Sequence, residues 1–363
     1  MKRYRHIWAA GVAAAAFATV ALAQAPGWMP KFEPDGTVKV SAFELPPSAL
    51  ISKEALEGQK ARATLRITAN VSGGTDIAAT RAGIEAYMAP QVAAMKTRYP
   101  VDIVEQRIGG VRVRVITPKA GKIDPRRVLI NLHGGAFNQC AEGCAMMESI
   151  PIASLGAFKV ITVDYRQAPE HVFPAASEDV AAVFRELLKS YKARQIGVYG
   201  CSAGGALTGQ VAAWLPAHGL PQMGAAGIFG AGAVRFGAGD SAHLAAYIDG
   251  SLGPPPPKPG TPPPSPGAVR SYFQGANMND PMVSPAMHRA VAAKFPPTLI
   301  ITGTRAMDMS PAVFTNSKLL DAGVDSRLIV GEGMGHCFIM QPQLPESQEA
   351  YRAIVKHFRT HLG

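Results

Sequence analysis

The chain has 363 residues, 47% of them hydrophobic and 17% charged, with 36 Lys and Arg against 26 Asp and Glu and a formal charge of +10. The basic surplus is dispersed, with no Lys/Arg block and no interleaved aromatics, so a nucleic-acid footprint is excluded in favour of a solvated basic surface. Four cysteines in a chain this long leave packing, rather than cross-links, to hold the fold. None has the spacing of a structural zinc site, and neither a metal nor an organic cofactor is implied.

Met1 to Ala23 opens with Lys2, Arg3 and Arg5, runs apolar from Ile7 and closes on Ala21-Leu22-Ala23. This is the layout of a secretory signal peptide cleaved before Gln24, which makes the mature protein secreted or periplasmic. Its loss removes three basic residues and lowers the formal charge from +10 to +7. No later stretch is long and apolar enough to span a membrane.

Residues 24–100 read as an N-terminal arm and cap helix. Gln24 to about Leu50 is rich in proline and polar residues, as an extended arm wrapping the surface would be. From Thr75 to Arg98, Ile77, Ile84, Met88, Val92 and Met95 recur at helical spacing and predict one amphipathic helix, a candidate cap element.

After Pro100 come two β-branched runs, Val101 to Ile108 and Val111 to Ile116, joined by the hairpin signal Gly109-Gly110. Further apolar runs follow at Val128–Leu132, Val160–Val163, Ile196–Tyr199, Ala225–Phe229, Thr298–Thr302 and Leu328–Val330. Helical stretches separate several of them, notably Ala176–Tyr191 and Gly205–Leu215. Two antiparallel strands followed by alternating strand and helix predict an α/β domain over residues 101–363, with a mostly parallel sheet covered by helices on both faces. Ligands then meet the C-terminal strand ends. The proline-rich run Gly253 to Gly267 excludes helix and central strand. It reads as an exposed polyproline-like loop inside a lid insertion at about 235–290.

Gly200-Cys201-Ser202-Ala203-Gly204 follows an apolar strand and precedes an Ala/Gly-rich helix. Glycines at both ends let strand and helix approach while the central serine is forced onto a strained, exposed turn at the helix N-terminus. Ser202 is therefore the candidate nucleophile. A serine hydroxyl needs a base, expected late in the chain after the last strand, and His336 in Gly333-Met334-Gly335-His336-Cys337-Phe338 is placed there. His357 and His361 sit on the terminal helix, and His218, His243 and His288 lack a motif. The acid that orients the imidazole is expected after Thr298–Thr302, where Asp308 is the acidic residue directly following. Asp321 lies a helix away, and Asp280 suits a turn or cap in Asn279-Asp280-Pro281. The order Ser202, Asp308, His336 follows. Leu132-His133-Gly134-Gly135-Ala136-Phe137 ends an apolar strand with two glycines. Gly134, Gly135 and Ala203 are the expected amide donors to an oxyanion, with His133 fixing the loop.

Three segments in order carry a family resemblance: His133-Gly134-Gly135-Ala136, Val163-Asp164-Tyr165-Arg166-Gln167-Ala168-Pro169-Glu170-His171-Val172-Phe173-Pro174-Ala175-Ala176, and Gly200 to Gly205. They resemble the hormone-sensitive lipase-like family of α/β-hydrolases, microbial ester hydrolases with a His-Gly-Gly-Gly loop. Asp280 to Pro285 and Gly333 to Phe338 also look like family segments, so the resemblance runs from about Val101 to the C-terminus. It implies an α/β-hydrolase fold and a cofactor-free carboxylic-ester hydrolase acting on short- to medium-chain acyl esters through an acyl-enzyme. Lactone or amide hydrolysis, acyl transfer, and non-catalytic ligand binding are the alternatives on the same constellation. The chain departs from the family pattern in three places. Ala136 replaces a third glycine, and Cys201 replaces an aspartate, its sulfur expected as a packed side chain. The family's acid falls on Ala306, so Asp308 serves only if the loop is reshaped. Cys140 and Cys144 are expected as reduced, partly buried thiols, with a bridge as the alternative in an exported chain. The sequence leaves the oligomeric state open.

Overall fold

A computed structural model describes residues 29–61, 76–235, 237–248 and 271–363. The expected signal peptide and the proline-rich loop at 253–267 lie outside the described residues. The chain divides into two units, one ending at Pro46 and one running from Pro47 to Gly363. In the first, β1 (Lys31–Phe32) and β2 (Val38–Lys39) pair as an antiparallel ribbon where the sequence suggests only an extended arm. Asp35 and Gly36 make the turn. Gly36 takes φ +86°, and the Asp35 carboxylate accepts the Thr37 N–H at 2.9 Å.

In the second unit the chain runs α1 (Lys53–Ala61), α2 (Ile77–Arg98), β3 (Val101–Ile108), β4 (Val111–Pro118), β5 (Val128–Leu132), α3 (Gly143–Gly156) and β6 (Lys159–Val163). It continues through α4 (Ala175–Leu187), β7 (Ile196–Cys201), α5 (Ala203–Ala217), β8 (Ala225–Phe229) and α6 (Asp240–Ile248). It ends with α7 (Arg289–Ala292), β9 (Thr298–Gly303), α8 (Met309–Asp321), β10 (Ser326–Gly331) and α9 (Pro345–His361). Strands β3 to β10 form one eight-stranded sheet in the order β10-β9-β8-β7-β5-β6-β4-β3. β4 pairs antiparallel with β3 and β6, and every other pairing is parallel. The Gly109-Gly110 turn between β3 and β4 has φ +59° and +82°, the left-handed pair that a two-residue hairpin needs.

The alternation of β5 shows how the core divides. Val128, Ile130 and Leu132 face one side, with apolar residues of α4, α5 and α8 such as Val180, Leu207 and Leu319. Leu129 faces the other, with Met95 of α2, Ile150 of α3 and Phe358 of α9. All five β5 residues are buried because helices cover both faces, as expected of a parallel sheet. Asp76 caps α2 by accepting the Ala79 N–H at 3.0 Å, and the helix packs on α3. Glu85 of α2 in turn accepts the amides of Glu142 and Gly143 at 3.0 and 2.7 Å, satisfying donors at the start of α3.

Candidate active site

Parallel strands β5, β7, β9 and β10 all end at the same edge of the sheet, and the site is built from the turns that follow them. After β7, Ser202 adopts φ 58° and ψ −124° before α5 begins at Ala203. This strained backbone is held from all sides. The Ser202 N–H donates to Phe229 O at 2.9 Å, and a methyl on Gly200 or Gly204 would collide with the Leu132 carbonyl oxygen. Only glycine allows β5, β7 and α5 to meet this closely.

His336 lies after β10. Its Nε2 is 2.9 Å from Ser202 Oγ and its Nδ1 2.6 Å from Asp308 Oδ1. Asp308 sits between β9 and α8 with its side chain fully buried, and its second oxygen accepts the Thr302 hydroxyl at 2.5 Å. Ala306, the position the family pattern favours for the acid, is buried in a turn whose N–H bonds to Gly303 O. The turn leaves Asp308, two residues on, facing the imidazole. Ser241 of α6 clamps this segment, donating its hydroxyl to Met307 O at 2.7 Å and accepting the Ser310 N–H at 2.8 Å. The histidine loop is pinned as well, because Gly333 donates its N–H to Thr304 Oγ1 at 2.8 Å and accepts Gln59 Nε2–H at 3.0 Å.

The loop after β5 departs from the sequence expectation at one residue. The Gly134 N–H is already engaged: it donates to the buried carboxyl of Glu148 at 2.8 Å. Among the described residues the amides of Gly135, Ala136 and Ala203 have no acceptor. Gly135 has φ +110°, and a side chain there would run into Gln139 O. Ala136 and Phe137 follow at φ 53° and 61°. His133 is fully buried, stacks on Tyr165 with ring centroids 4.3 Å apart, and donates Nδ1–H to Gly134 O at 2.6 Å. Burial pushes its pKa down to about 4, so the ring is a neutral brace for the loop.

The cysteines need two corrections. Cys140 and Cys144 are bridged rather than reduced: Cys140 takes a left-handed φ of 64° just ahead of α3, which brings the two Cα atoms to 5.3 Å. Cys201 is not simply packed. It is bonded to Cys337 across a Cα separation of 6.2 Å, so one disulfide joins the residue before the candidate nucleophile to the residue after the candidate base. Both pairings depend on contacts between distant segments or on a local bend, and spacing alone does not reveal either. Glu148 was also missed. It lies in a helix buried nearly all round, where no apolar periodicity singles out a polar position.

The alpha/beta hydrolase fold family matches residues 129–340, and the chain belongs to that family. Among curated proteins, the arylacetamide deacetylase of Mus musculus is 34% identical over 122 residues. That match takes in 31% of this chain and only 30% of the mouse protein's length. Among solved structures, a crystal structure of an esterase E25 has a TM-score of 0.76 and 29% identity, covering 90% of this chain and 99% of that one. An esterase of the bacterial hormone-sensitive lipase family shares the fold at a TM-score of 0.68 and 23% identity, over 85% of this chain and 97% of its own.

Proposed function

We propose that the protein is a serine carboxylic-ester hydrolase acting on short- to medium-chain acyl esters. The observation that carries this reading is the hydrogen-bonded chain Ser202–His336–Asp308, at 2.9 and 2.6 Å, on a strained turn beside amides that have no acceptor among the described residues. His336 Nε2 takes the Ser202 proton as Oγ attacks the ester carbonyl. Asp308 holds Nδ1–H and stabilises the imidazolium that forms. The N–H groups of Gly135, Ala136 and Ala203 receive the tetrahedral oxyanion, a contribution of about 3–4 kcal/mol per donor to the transition state. The alcohol leaves with the proton from His336, and a water activated by the same base releases the acid from the acyl-enzyme. Membership of the α/β-hydrolase family and the esterase and deacetylase names of similar proteins support the reading.

The test compares wild type with Ser202→Ala on p-nitrophenyl acetate and butyrate. Wild-type turnover that vanishes in the variant is expected, and equal rates would overturn the assignment. A panel of longer acyl chains then fixes the preference. Adding an alcohol co-substrate and analysing products separates hydrolysis from acyl transfer.

The same reading places the mature protein in the periplasm or outside the cell. The Met1 to Ala23 leader pattern and two disulfides support this, since disulfides persist in oxidising compartments. Cell fractionation and N-terminal sequencing check it, with Gln24 the expected first residue.

A further inference from the structure

Glu148 is buried at 3% exposure in the middle of α3, and among the described residues it has no ion-pair partner. What it has instead is three hydrogen-bond donors from three different segments. Its Oε1 accepts the Gly134 N–H at 2.8 Å, and its Oε2 accepts Asn131 Nδ2–H at 2.9 Å and the Cys201 N–H at 3.1 Å. Gly134 belongs to the loop after β5, and Cys201 immediately precedes Ser202. The three groups converge tightly: a Cβ placed on Gly134 would lie 3.3 Å from both Glu148 Oε1 and Ser202 Cβ, and 3.1 Å from Cys201 O. Burying a carboxyl without a cation is costly, and hydrogen bonds to both oxygens offset that cost. A side chain needed only to fill volume here would be apolar.

We propose that Glu148 is a positioning residue for ester hydrolysis, its carboxyl fixing the oxyanion loop against the nucleophile turn so that the Gly135 and Ala136 amides face the same point as the Ala203 amide. This rests on the hydrolase reading above. By taking up the Gly134 amide, Glu148 sets the direction of the next two peptide units, and by holding the Cys201 amide it ties that loop to the strand that delivers Ser202. A displacement of about 1 Å between donors and nucleophile costs on the order of 10²-fold in rate, so the tie acts on turnover. Asn131 can serve the carboxyl in either protonation state. Its Nδ2 donates to a carboxylate, and its Oδ1, buried without a partner among the described residues, can accept a carboxyl proton if the amide turns over.

The test is a graded pair of variants. In Glu148→Gln the amide oxygen still accepts from Gly134, but the nitrogen cannot accept from Cys201, so one tie is lost. In Glu148→Leu both are lost. With p-nitrophenyl acetate, kcat is expected to fall about tenfold in Glu148→Gln and about 10²-fold or more in Glu148→Leu, with KM within threefold of wild type. Affinity for a trifluoromethyl ketone, whose adduct carries an oxyanion, should fall in parallel, while Ser202 still reacts with a fluorophosphonate. A kcat and ketone affinity unchanged in Glu148→Gln, in a preparation where Ser202→Ala is inactive, would overturn the proposal and leave the hydrolase reading intact. A kcat loss that comes with an equal rise in KM would also overturn it. If Glu148→Leu does not fold, the Glu148→Gln result alone decides. If neither folds, the residue belongs to the fold rather than to positioning, and the proposal fails. Wild type without esterase activity would instead remove the underlying reading.

Discussion

Asp308→Asn isolates the role of the acid, because it exchanges one carboxylate oxygen for an NH₂ at nearly constant volume. In the structure one oxygen receives His336 Nδ1–H at 2.6 Å and the other the Thr302 hydroxyl at 2.5 Å, so the new amide must turn its nitrogen toward one of them. Facing Thr302, it meets a hydroxyl that now donates and that has no second partner among the described residues. Reversing that hydroxyl would leave its proton buried and unpaired, at a cost of about 1–3 kcal/mol. Facing His336, it drives the ring into the tautomer with Nε2 protonated. That nitrogen lies 2.9 Å from Ser202 Oγ and is then unable to accept its proton.

The second arrangement is the expected one, with kcat lowered about 10³- to 10⁴-fold, or roughly 4–5.5 kcal/mol of transition-state stabilisation. KM should stay near wild type, because the acid touches the base and not the substrate. Steady-state hydrolysis of p-nitrophenyl acetate measures both parameters, and Asp308→Asn combined with Ala306→Asp serves as a control that should not recover activity. A kcat within tenfold of wild type would take the acid role away from Asp308, and recovery in the double variant would return it to position 306.

Gly204→Ala drives a methyl into the Leu132 carbonyl oxygen, and a thermal melt should show the loss of more than about 3 kcal/mol or no folded protein at all. Separation in sequence should rank the two disulfides. Cys201→Ala/Cys337→Ala opens a link between residues 136 apart, for which the chain-entropy estimate is about 5 kcal/mol, against about 2 kcal/mol for the Cys140–Cys144 link, whose residues are four apart. Denaturant midpoints of the two double variants test that order, and the first should also lower kcat because both its residues adjoin reacting groups. Burial raises the Glu148 pKa from 4.5 to about 8. The unfolded chain therefore releases this proton near pH 4.5 and the folded chain near pH 8, so this group's contribution to stability declines as pH rises between those values. Subtracting the stability curve of Glu148→Gln from that of wild type should reveal this slope, and a flat difference from pH 5 to 8 would contradict it.

The strands were legible because they are short, apolar and bounded by turn residues. Val101–Ile108, Val128–Leu132 and Ala225–Phe229 coincide with β3, β5 and β8 residue for residue. The other strands of the eight-stranded sheet extend past the apolar run at one or both ends, since backbone pairing continues through Pro118, Cys201 and Gly331 after the apolar pattern has stopped. α3 was not read from the sequence: it is buried on nearly every side, between the sheet and neighbouring helices, and so carries no apolar period.

In the candidate site, chain order was enough to nominate Ser202, Asp308 and His336, each of which follows a strand ending at the same sheet edge, and the fold brings their side chains within hydrogen-bonding distance. What order does not encode is how the turns are held. The amide direction at Gly134 is set by Glu148, which lies fourteen residues on, and the spacing of nucleophile and base is bridged by cysteines 136 residues apart. A motif nominates the candidate reacting groups, whereas the carboxyl, disulfide and Ser241 clamp that fix their separation come from elements that meet only in the fold. The loop that carries the candidate acid follows the same logic. Ala306 is buried and its amide engaged, Asp308 faces the imidazole, and Ser241 of α6 holds that arrangement by bonding the Met307 carbonyl and the Ser310 amide on either side of Asp308.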